Sequence, residues 1–150
     1  NNPVFTKPDI QQCKQVFEQI DLDKSGKLSH DEVIAAFKKM DVVLKKDDLE
    51  AIIKAVDQSE ECNFDINEFT HMIYISQNTE ENHDMYRVMF LIADSDYSGK
   101  ITVEKLQNLF KKLKAFLKTE EIEEVVKRMT SGKDYLDFKA FKSLMEQVLE

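Results

Sequence analysis

Residues 21–32 carry oxygen-bearing groups at the spacing of a cation-binding loop and read DLDKSGKLSHDE. Positions 1, 3, 5, 7, 9 and 12 offer, in order, the side chains of Asp21, Asp23 and Ser25, the carbonyl of Lys27, the hydroxyl of Ser29 through a water, and both carboxylate oxygens of Glu32. Gly26 stands at position 6, where the backbone turns with a positive φ that glycine adopts without strain. Oxygen ligands of this kind suit a hard cation, and their number suits Ca²⁺ better than Mg²⁺.

The same spacing recurs in residues 57–68, which read DQSEECNFDINE. This second loop offers oxygens from Asp57, Ser59, Glu61, the Asn63 carbonyl, Asp65 and Glu68. Position 6 is Cys62, and a residue other than glycine at a positive φ costs roughly 1–3 kcal/mol. We therefore expect a second cation site that is weaker than the first.

A third loop, residues 94–105, reads DSDYSGKITVEK and repeats Asp94, Asp96 and Ser98 at the first three ligand positions. Position 12 is Lys105, whose ammonium only donates hydrogen bonds and cannot bind a cation. We expect Lys105 to reach the two aspartates and neutralise them in place of a metal. As an exposed pair, this contact would contribute about 0–1 kcal/mol.

The fourth loop, residues 129–140, is degenerate and reads MTSGKDYLDFKA. Met129, Lys133 and Ala140 occupy positions 1, 5 and 12, so no carboxylate is present at these ligand positions. The sequence predicts no metal there.

Apolar residues at helical spacing flank each loop, so the pattern predicts four helix–loop–helix units. Thr6 to Asp9 resembles a capping box that opens the first helix, and Ser29 with Glu32 resembles a second one. Residues 77–84 are polar and are predicted to link two halves.

Charge and composition exclude several classes of function. The net charge of −8 disfavours nucleic acid and anionic lipid, and it suits cations and basic amphipathic helices. No run of 18 apolar residues could span a membrane, and no signal peptide is visible. Cys13 and Cys62 form no disulfide framework, so we expect a reducing, cytoplasmic setting.

Over nearly its full length the chain resembles the calmodulin superfamily. The resemblance implies an all-α fold of four EF-hand units in two lobes, with short β-bridges at the position-8 residues. Those bridges would pair Leu28 with Phe64, and Ile101 with Leu136. The lobes would span 1–76, with loops 21–32 and 57–68, and 85–150, with loops 94–105 and 129–140.

This resemblance implies a calcium-binding regulatory protein, with Ca²⁺ bound mainly in the N-terminal lobe and a basic amphipathic helix of a target protein as the partner. One alternative is a light-chain-like structural subunit with little calcium dependence. Another is a calcium buffer.

An enzyme is not expected, since His30, His71 and His83 fit no catalytic pattern and are predicted to lie on the surface.

Replacing Cys62 with glycine is expected to raise the Ca²⁺ affinity of the second loop, because glycine removes the backbone strain. Calorimetric Ca²⁺ titration of the parent and of Cys62→Gly measures the change. Unchanged or lower affinity would mean that the backbone at position 62 does not need a positive φ.

Overall fold

A computed structural model describes residues 5–42, 44–57, 63–79, 85–112 and 119–149. These residues contain eight helices and four short strands, which confirms the predicted all-α fold. In chain order they are α1 (Ile10–Ile20), β1 (Leu28–Ser29), α2 (His30–Lys39), α3 (Lys46–Val56), β2 (Asn63–Phe64), α4 (Ile66–Gln77), α5 (Met85–Ala93), β3 (Ile101–Thr102), α6 (Val103–Lys112), α7 (Thr119–Thr130), β4 (Tyr135–Leu136) and α8 (Phe138–Leu149).

The chain divides into two compact units. The first unit is Thr6–Asn82, and the second unit is Asn1–Phe5 together with His83–Glu150. Each unit contains two helix–loop–helix segments, so each contains two of the four predicted loops. Whether the boundaries at 1–76 and 85–150 delimit independently folding lobes stays a prediction.

Within each unit, two loops are joined by one antiparallel strand pair. Leu28 is opposite Phe64 in the first unit, and Ile101 is opposite Leu136 in the second. All four side chains are fully buried. The predicted β-bridges are therefore confirmed, and they anchor each pair of loops to the core of its unit.

The first unit is built on apolar faces of α1 to α4, spaced so that one face of each helix turns inward. Phe69 lies at the centre, with its ring centroid 6.2 Å from that of Phe17 and 6.4 Å from that of Phe37. Helix α4 differs from the others because every residue from Phe69 to Ser76 is buried.

The first helix begins later than the capping box at Thr6 predicted. Asp9 is its N-cap and accepts a hydrogen bond from the Gln12 backbone N–H at 3.1 Å. Thr6 instead binds the Asn78 side chain: its N–H donates to Oδ1 at 2.7 Å, and its carbonyl accepts from Nδ2 at 2.8 Å. The amide of Asn78 satisfies both backbone groups, which leaves no capping role for Thr6.

The second unit contains a core from α5 to α8 that also takes in Phe5. The Phe5 ring stacks on Phe90 at a centroid distance of 5.3 Å and meets the edge of Phe138 at 6.0 Å. The guanidinium carbon of Arg87 lies 5.0 Å from the Phe5 ring centroid, within the range of a cation–π contact. Phe5 thus belongs to the second unit although it precedes the first unit in sequence.

Replacing Phe5 with alanine should destabilise the second unit by about 1–3 kcal/mol, less than a fully buried phenylalanine because Phe5 is only partly buried. Hydrogen exchange of α5 and α8 amides measures this in the full chain. Ile10→Ala, which truncates an exposed side chain, is the control. Equal exchange rates in the two variants would contradict the assignment of Phe5 to this core.

Candidate metal centre

The first loop starts where α1 ends. Asp21 caps the helix, its backbone N–H donating to the Phe17 carbonyl at 2.9 Å. The backbone then turns twice through positive φ, at Lys24 (54°) and at Gly26 (80°). These turns curl the chain back towards Asp21, so the position-1 carboxylate lies inside the loop and is largely buried.

Hydrogen bonds fix the first three ligand side chains of this loop around a common centre. The Ser25 N–H donates to Asp21 Oδ1 at 3.2 Å and to Asp23 Oδ1 at 3.1 Å. The Gly26 N–H donates to Asp21 Oδ2 at 2.8 Å. The Ser25 hydroxyl donates to the Lys27 carbonyl at 3.0 Å. The structure therefore brings together the predicted residues of positions 1, 3, 5 and 7.

Position 12 lies at the start of the exiting helix. Glu32 Oε1 accepts from the Ser29 N–H at 2.8 Å, and the Ser29 hydroxyl accepts from the Glu32 N–H at 3.3 Å. This reciprocal pair is the predicted capping box. In this arrangement Glu32 caps α2 and does not join Asp21 and Asp23. Nowhere among the described residues do three His, Cys, Asp or Glu side chains converge in a metal cluster.

The second loop is described in part. Asp57 follows α3, and Asn63 pairs with Ser29 across the strands. Asp65 and Glu68 form a capping box. The Asp65 N–H donates to Glu68 Oε1 at 3.2 Å, and the Glu68 N–H donates to Asp65 Oδ1 at 2.8 Å. Ser59, Glu61 and Cys62 lie outside the described residues, so their predicted roles stay predictions.

The third loop repeats the hydrogen bonds of the first. The Ser98 N–H donates to Asp94 Oδ1 and to Asp96 Oδ1, both at 3.2 Å. The Gly99 N–H donates to Asp94 Oδ2 at 2.8 Å. Tyr97 and Gly99 have positive φ values of 61° and 76°, at the same two loop positions as in the first loop.

An ammonium group lies inside this third loop. Lys105 Nζ donates to Asp94 Oδ1 at 2.9 Å, to Ser98 Oγ at 3.0 Å, to the Lys100 carbonyl at 2.7 Å, and to Asp96 Oδ1. The contact of Lys105 with both aspartates is as predicted. The expectation of an exposed pair is wrong for Asp94, because Asp94 is 0% and Lys105 is 9% exposed, but the Asp96 side chain is 63% exposed. Removing one partner of a buried pair costs far more than removing one from the surface.

The Asp96 carboxyl reflects the nearby positive charge. Desolvation, the largest single influence, raises the pKa of this carboxyl, but hydrogen bonds with Lys105, Ser98 and Asp94, together with the charge of Lys105, outweigh it. The pKa of Asp96 is therefore held well below its usual range. Asp96 is ionised at neutral pH, as the partner of an ammonium should be.

The ammonium in the third loop shows where a positive charge can lie in a loop of this shape, and the first loop can be compared with it position by position. The four oxygens that accept from Lys105 come from positions 1, 3, 5 and 7. In the first loop these positions carry the same groups, held by corresponding hydrogen bonds. A positive charge at the centre is therefore compatible with this backbone, and the donor set of the first loop fits a hard cation.

Comparison with known proteins agrees with this geometry. The family model for an EF-hand domain pair matches residues 10–74. Residues 10–74 therefore form an EF-hand pair, and most of the chain is similar to calmodulin-like calcium-binding proteins. A probable calcium-binding protein, CML13 of Oryza sativa subsp. japonica, is 27% identical over 95% of this chain and 85% of its own length. Caltractin of Naegleria gruberi is 26% identical over 81% of this chain and 70% of its own length. Troponin C of Tachypleus tridentatus is 23% identical over 94% of this chain and 95% of its own length.

The fourth EF-hand loop has lost the first part of its turn. Helix α7 continues through Met129 to Thr130, so predicted positions 1 and 2 are helical. The helix then ends at Ser131 and Gly132, which have positive φ, and the Gly132 N–H donates to the Lys127 carbonyl at 2.8 Å. Such a bond closes the C-terminal end of a helix, so the segment that carries positions 1 and 2 in the other loops belongs to the helix here.

In all four helix–loop–helix units, the side chain at position 9 caps the exiting helix. The sequence pattern predicted this cap only at Ser29. Asp65, Thr102 and Asp137 play the same part in the other three units. Asp137, for example, accepts from the Ala140 N–H at 2.8 Å. A Ser, Thr or Asp one residue after the buried position-8 side chain is the signal that would have revealed them.

Two side chains of types that often take part in catalysis, a histidine and a cysteine, are buried in the first unit. His71 is buried and its ring centroid is 6.5 Å from that of Tyr74, so its predicted surface position is wrong. His83 lies outside the described residues. Burial raises the pKa of the Cys13 thiol to about 11, although a hydrogen bond with Thr70 opposes the shift. The thiol is therefore protonated at neutral pH and is a poor nucleophile.

Proposed function

We propose that this EF-hand protein is a calcium sensor whose first loop binds Ca²⁺ and whose first unit then engages a basic amphipathic helix of a target protein. The observation that carries the proposal is the match between the first and third loops. The third loop surrounds an ammonium with oxygens at positions 1, 3, 5 and 7, and the first loop keeps those oxygens and adds Glu32 at position 12.

The ligands proposed for Ca²⁺ in the first loop are Asp21, Asp23, Ser25, the Lys27 carbonyl, Ser29 through a water and Glu32. Three of these groups are carboxylates, and we expect a Ca²⁺ affinity in the sensor range of roughly 10⁻⁷–10⁻⁵ M, because the affinity of such loops depends on the number of charged ligands. A cation at the centre would attract Glu32 out of its hydrogen bond with the Ser29 N–H. Because Glu32 is part of α2, this step would couple ion binding to the position of that helix.

The second loop is proposed as a weaker companion. Asp57, Ser59, Glu61, the Asn63 carbonyl and Glu68 are its proposed ligands, with Asp65 at position 9. The support for this second site is the strand pair between Asn63 and Ser29, because it links the backbones of the two loops. Glu68 forms a capping box with Asp65 as Glu32 does with Ser29, so a cation in the second loop would attract Glu68 out of its hydrogen bond in the same way.

Target binding would require the first unit to open. Among the described residues, the large apolar side chains that are exposed are Ile10 and Leu22, at 51% and 86%. Phe17, Phe37 and Met72 are buried, so a helix-binding groove would form only when helices separate. Separation would expose phenylalanine and methionine, which accommodate varied partner surfaces.

The charge of the chain supports a basic partner. A net charge of −8 attracts a helix rich in lysine and arginine and repels nucleic acid. The cytoplasm is the compartment we propose for this encounter. No helix within the described ranges is both long and apolar enough to cross a membrane.

A light-chain-like subunit is the second candidate, and one observation favours it. Lys105 fills the third loop, and the fourth loop lacks its ligand turn, so the second unit has no evident need of calcium. In this alternative the second unit would hold a partner helix at every calcium concentration. A pure buffer is the least supported candidate, since buffering capacity rises with the number of competent loops.

Glu32→Gln should lower the Ca²⁺ affinity of the first loop on the order of a hundredfold, because the amide replaces the bidentate carboxylate. The amide signal of Gly26, whose N–H binds Asp21, reports occupancy in a glycine-labelled NMR titration. Asp31→Asn, which removes one charge from an adjacent exposed side chain, is the matched control. A Glu32→Gln titration like that of the control would refute the first loop as the principal site.

Calcium should increase the binding of a hydrophobic dye and of a basic amphipathic peptide, because opening exposes the buried apolar face of the first unit. Fluorescence titration of the parent and of Glu32→Gln measures both. If Ca²⁺ binds with no rise in dye or peptide binding, the sensor proposal fails and the buffer is favoured. Peptide binding that is equally tight with and without Ca²⁺ would favour the light-chain candidate.

A further inference from the structure

We propose that Lys105 is a tethered cation, which occupies the third loop in place of a metal ion and holds the second unit in one arrangement at every calcium concentration. The inference deepens the proposed function, on which it rests for the assignment of the calcium response to the first unit. It assigns to the second unit a state that a calcium signal does not change.

The contacts of Lys105 are those of a bound ion and exceed those of an ordinary surface pair. The ammonium meets four oxygens, two from carboxylates, one from the Ser98 hydroxyl and one from the Lys100 carbonyl. It has three protons, so at least one of them is shared between two acceptors. Both Asp94 and Lys105 are buried, which shields the hydrogen bond between them from the competition of water, whereas the Asp96 side chain is exposed.

The position of Lys105 in the chain gives this contact a mechanical consequence. Lys105 lies in the first turn of α6, and its N–H donates to Thr102 Oγ1 at 3.3 Å. Its side chain returns to the centre of the loop and binds Asp94, which directly follows α5. The ammonium therefore connects the entering and exiting helices, as a metal ion bound by positions 1 and 12 would.

Calcium is a poor competitor for this position. The ammonium is part of the chain, so its effective concentration at the loop is far above that of a free ion. Displacing it would also leave a buried lysine without its carboxylate partners. The loop furthermore lacks the position-12 carboxylate that would supply Ca²⁺ with two oxygens.

Selective labelling of glycine provides a direct test in the full chain. The protein has three glycines, and Gly26, Gly99 and Gly132 lie in the first, third and fourth loops. We expect Ca²⁺ to move the Gly26 amide signal and to leave Gly99 and Gly132 unchanged. Movement of Gly99 in the parent, over the range that saturates Gly26, would overturn the inference. If Gly26 does not move and Gly99 is unchanged, the proposed function fails and the tethered cation stands.

Two variants test the role of the ammonium itself. Lys105→Glu should make the Gly99 signal respond to Ca²⁺, because it restores the carboxylate at position 12. Lys105→Met should lower the thermal midpoint of the second unit by several degrees relative to Lys111→Met, which alters an exposed lysine of the same helix. Equal midpoints for the two methionine variants, or no calcium response in Lys105→Glu, would overturn the inference.

A measurement on the parent remains decisive if Lys105→Met does not fold. Buried, hydrogen-bonded ammonium protons exchange slowly with water, so the side-chain ¹⁵N signal of Lys105 should persist under conditions that broaden those of exposed lysines. Adding Ca²⁺ should leave this signal in place. Rapid exchange in the parent, or loss of the signal on adding Ca²⁺, would mean that the ammonium is not a fixed occupant of the loop.

Discussion

Carboxylates that are held close together need a positive charge beside them, and this constraint governs the loops of the protein. Asp94 and Asp96 meet that need within the chain itself, through the ammonium of Lys105. Asp21 and Asp23 have the same backbone hydrogen bonds and no such lysine, since position 12 of their loop is Glu32. The difference at position 12 thus separates a loop that supplies its own cation from one that, in the proposed function, binds an external cation.

The scaffold around the loops depends much less on metal ligands. Buried position-8 residues pair across each unit, and a side chain at position 9 caps each exiting helix. Both features persist in the fourth unit, where the ligand turn is lost. The fold therefore rests on apolar burial and helix capping, which allows individual loops to lose metal ligands while the units keep their architecture.

This separation of scaffold and ligands explains how one chain can carry two kinds of EF-hand pair. The first unit keeps position-12 carboxylates in both of its loops, at Glu32 and Glu68. The second unit has Lys105 and Ala140 at the same positions. In the proposed function, the first unit responds to calcium while the second stays constant, a division that the residues at position 12 already indicate in the sequence.

The sequence by itself determined the helix–loop–helix order and the register of the first three loops, because these depend on spacing within a single repeat, and the family resemblance implied the residues that pair across each strand bridge. It also placed Lys105 within reach of Asp94 and Asp96. Tertiary structure decided that Lys105 and Asp94 are buried, that Phe5 joins the core of the second unit, and that His71 lies inside the first. It also decided that α7 runs past the predicted start of the fourth loop. Burial and helix ends depend on neighbours remote in sequence, which a local pattern of residue types does not contain.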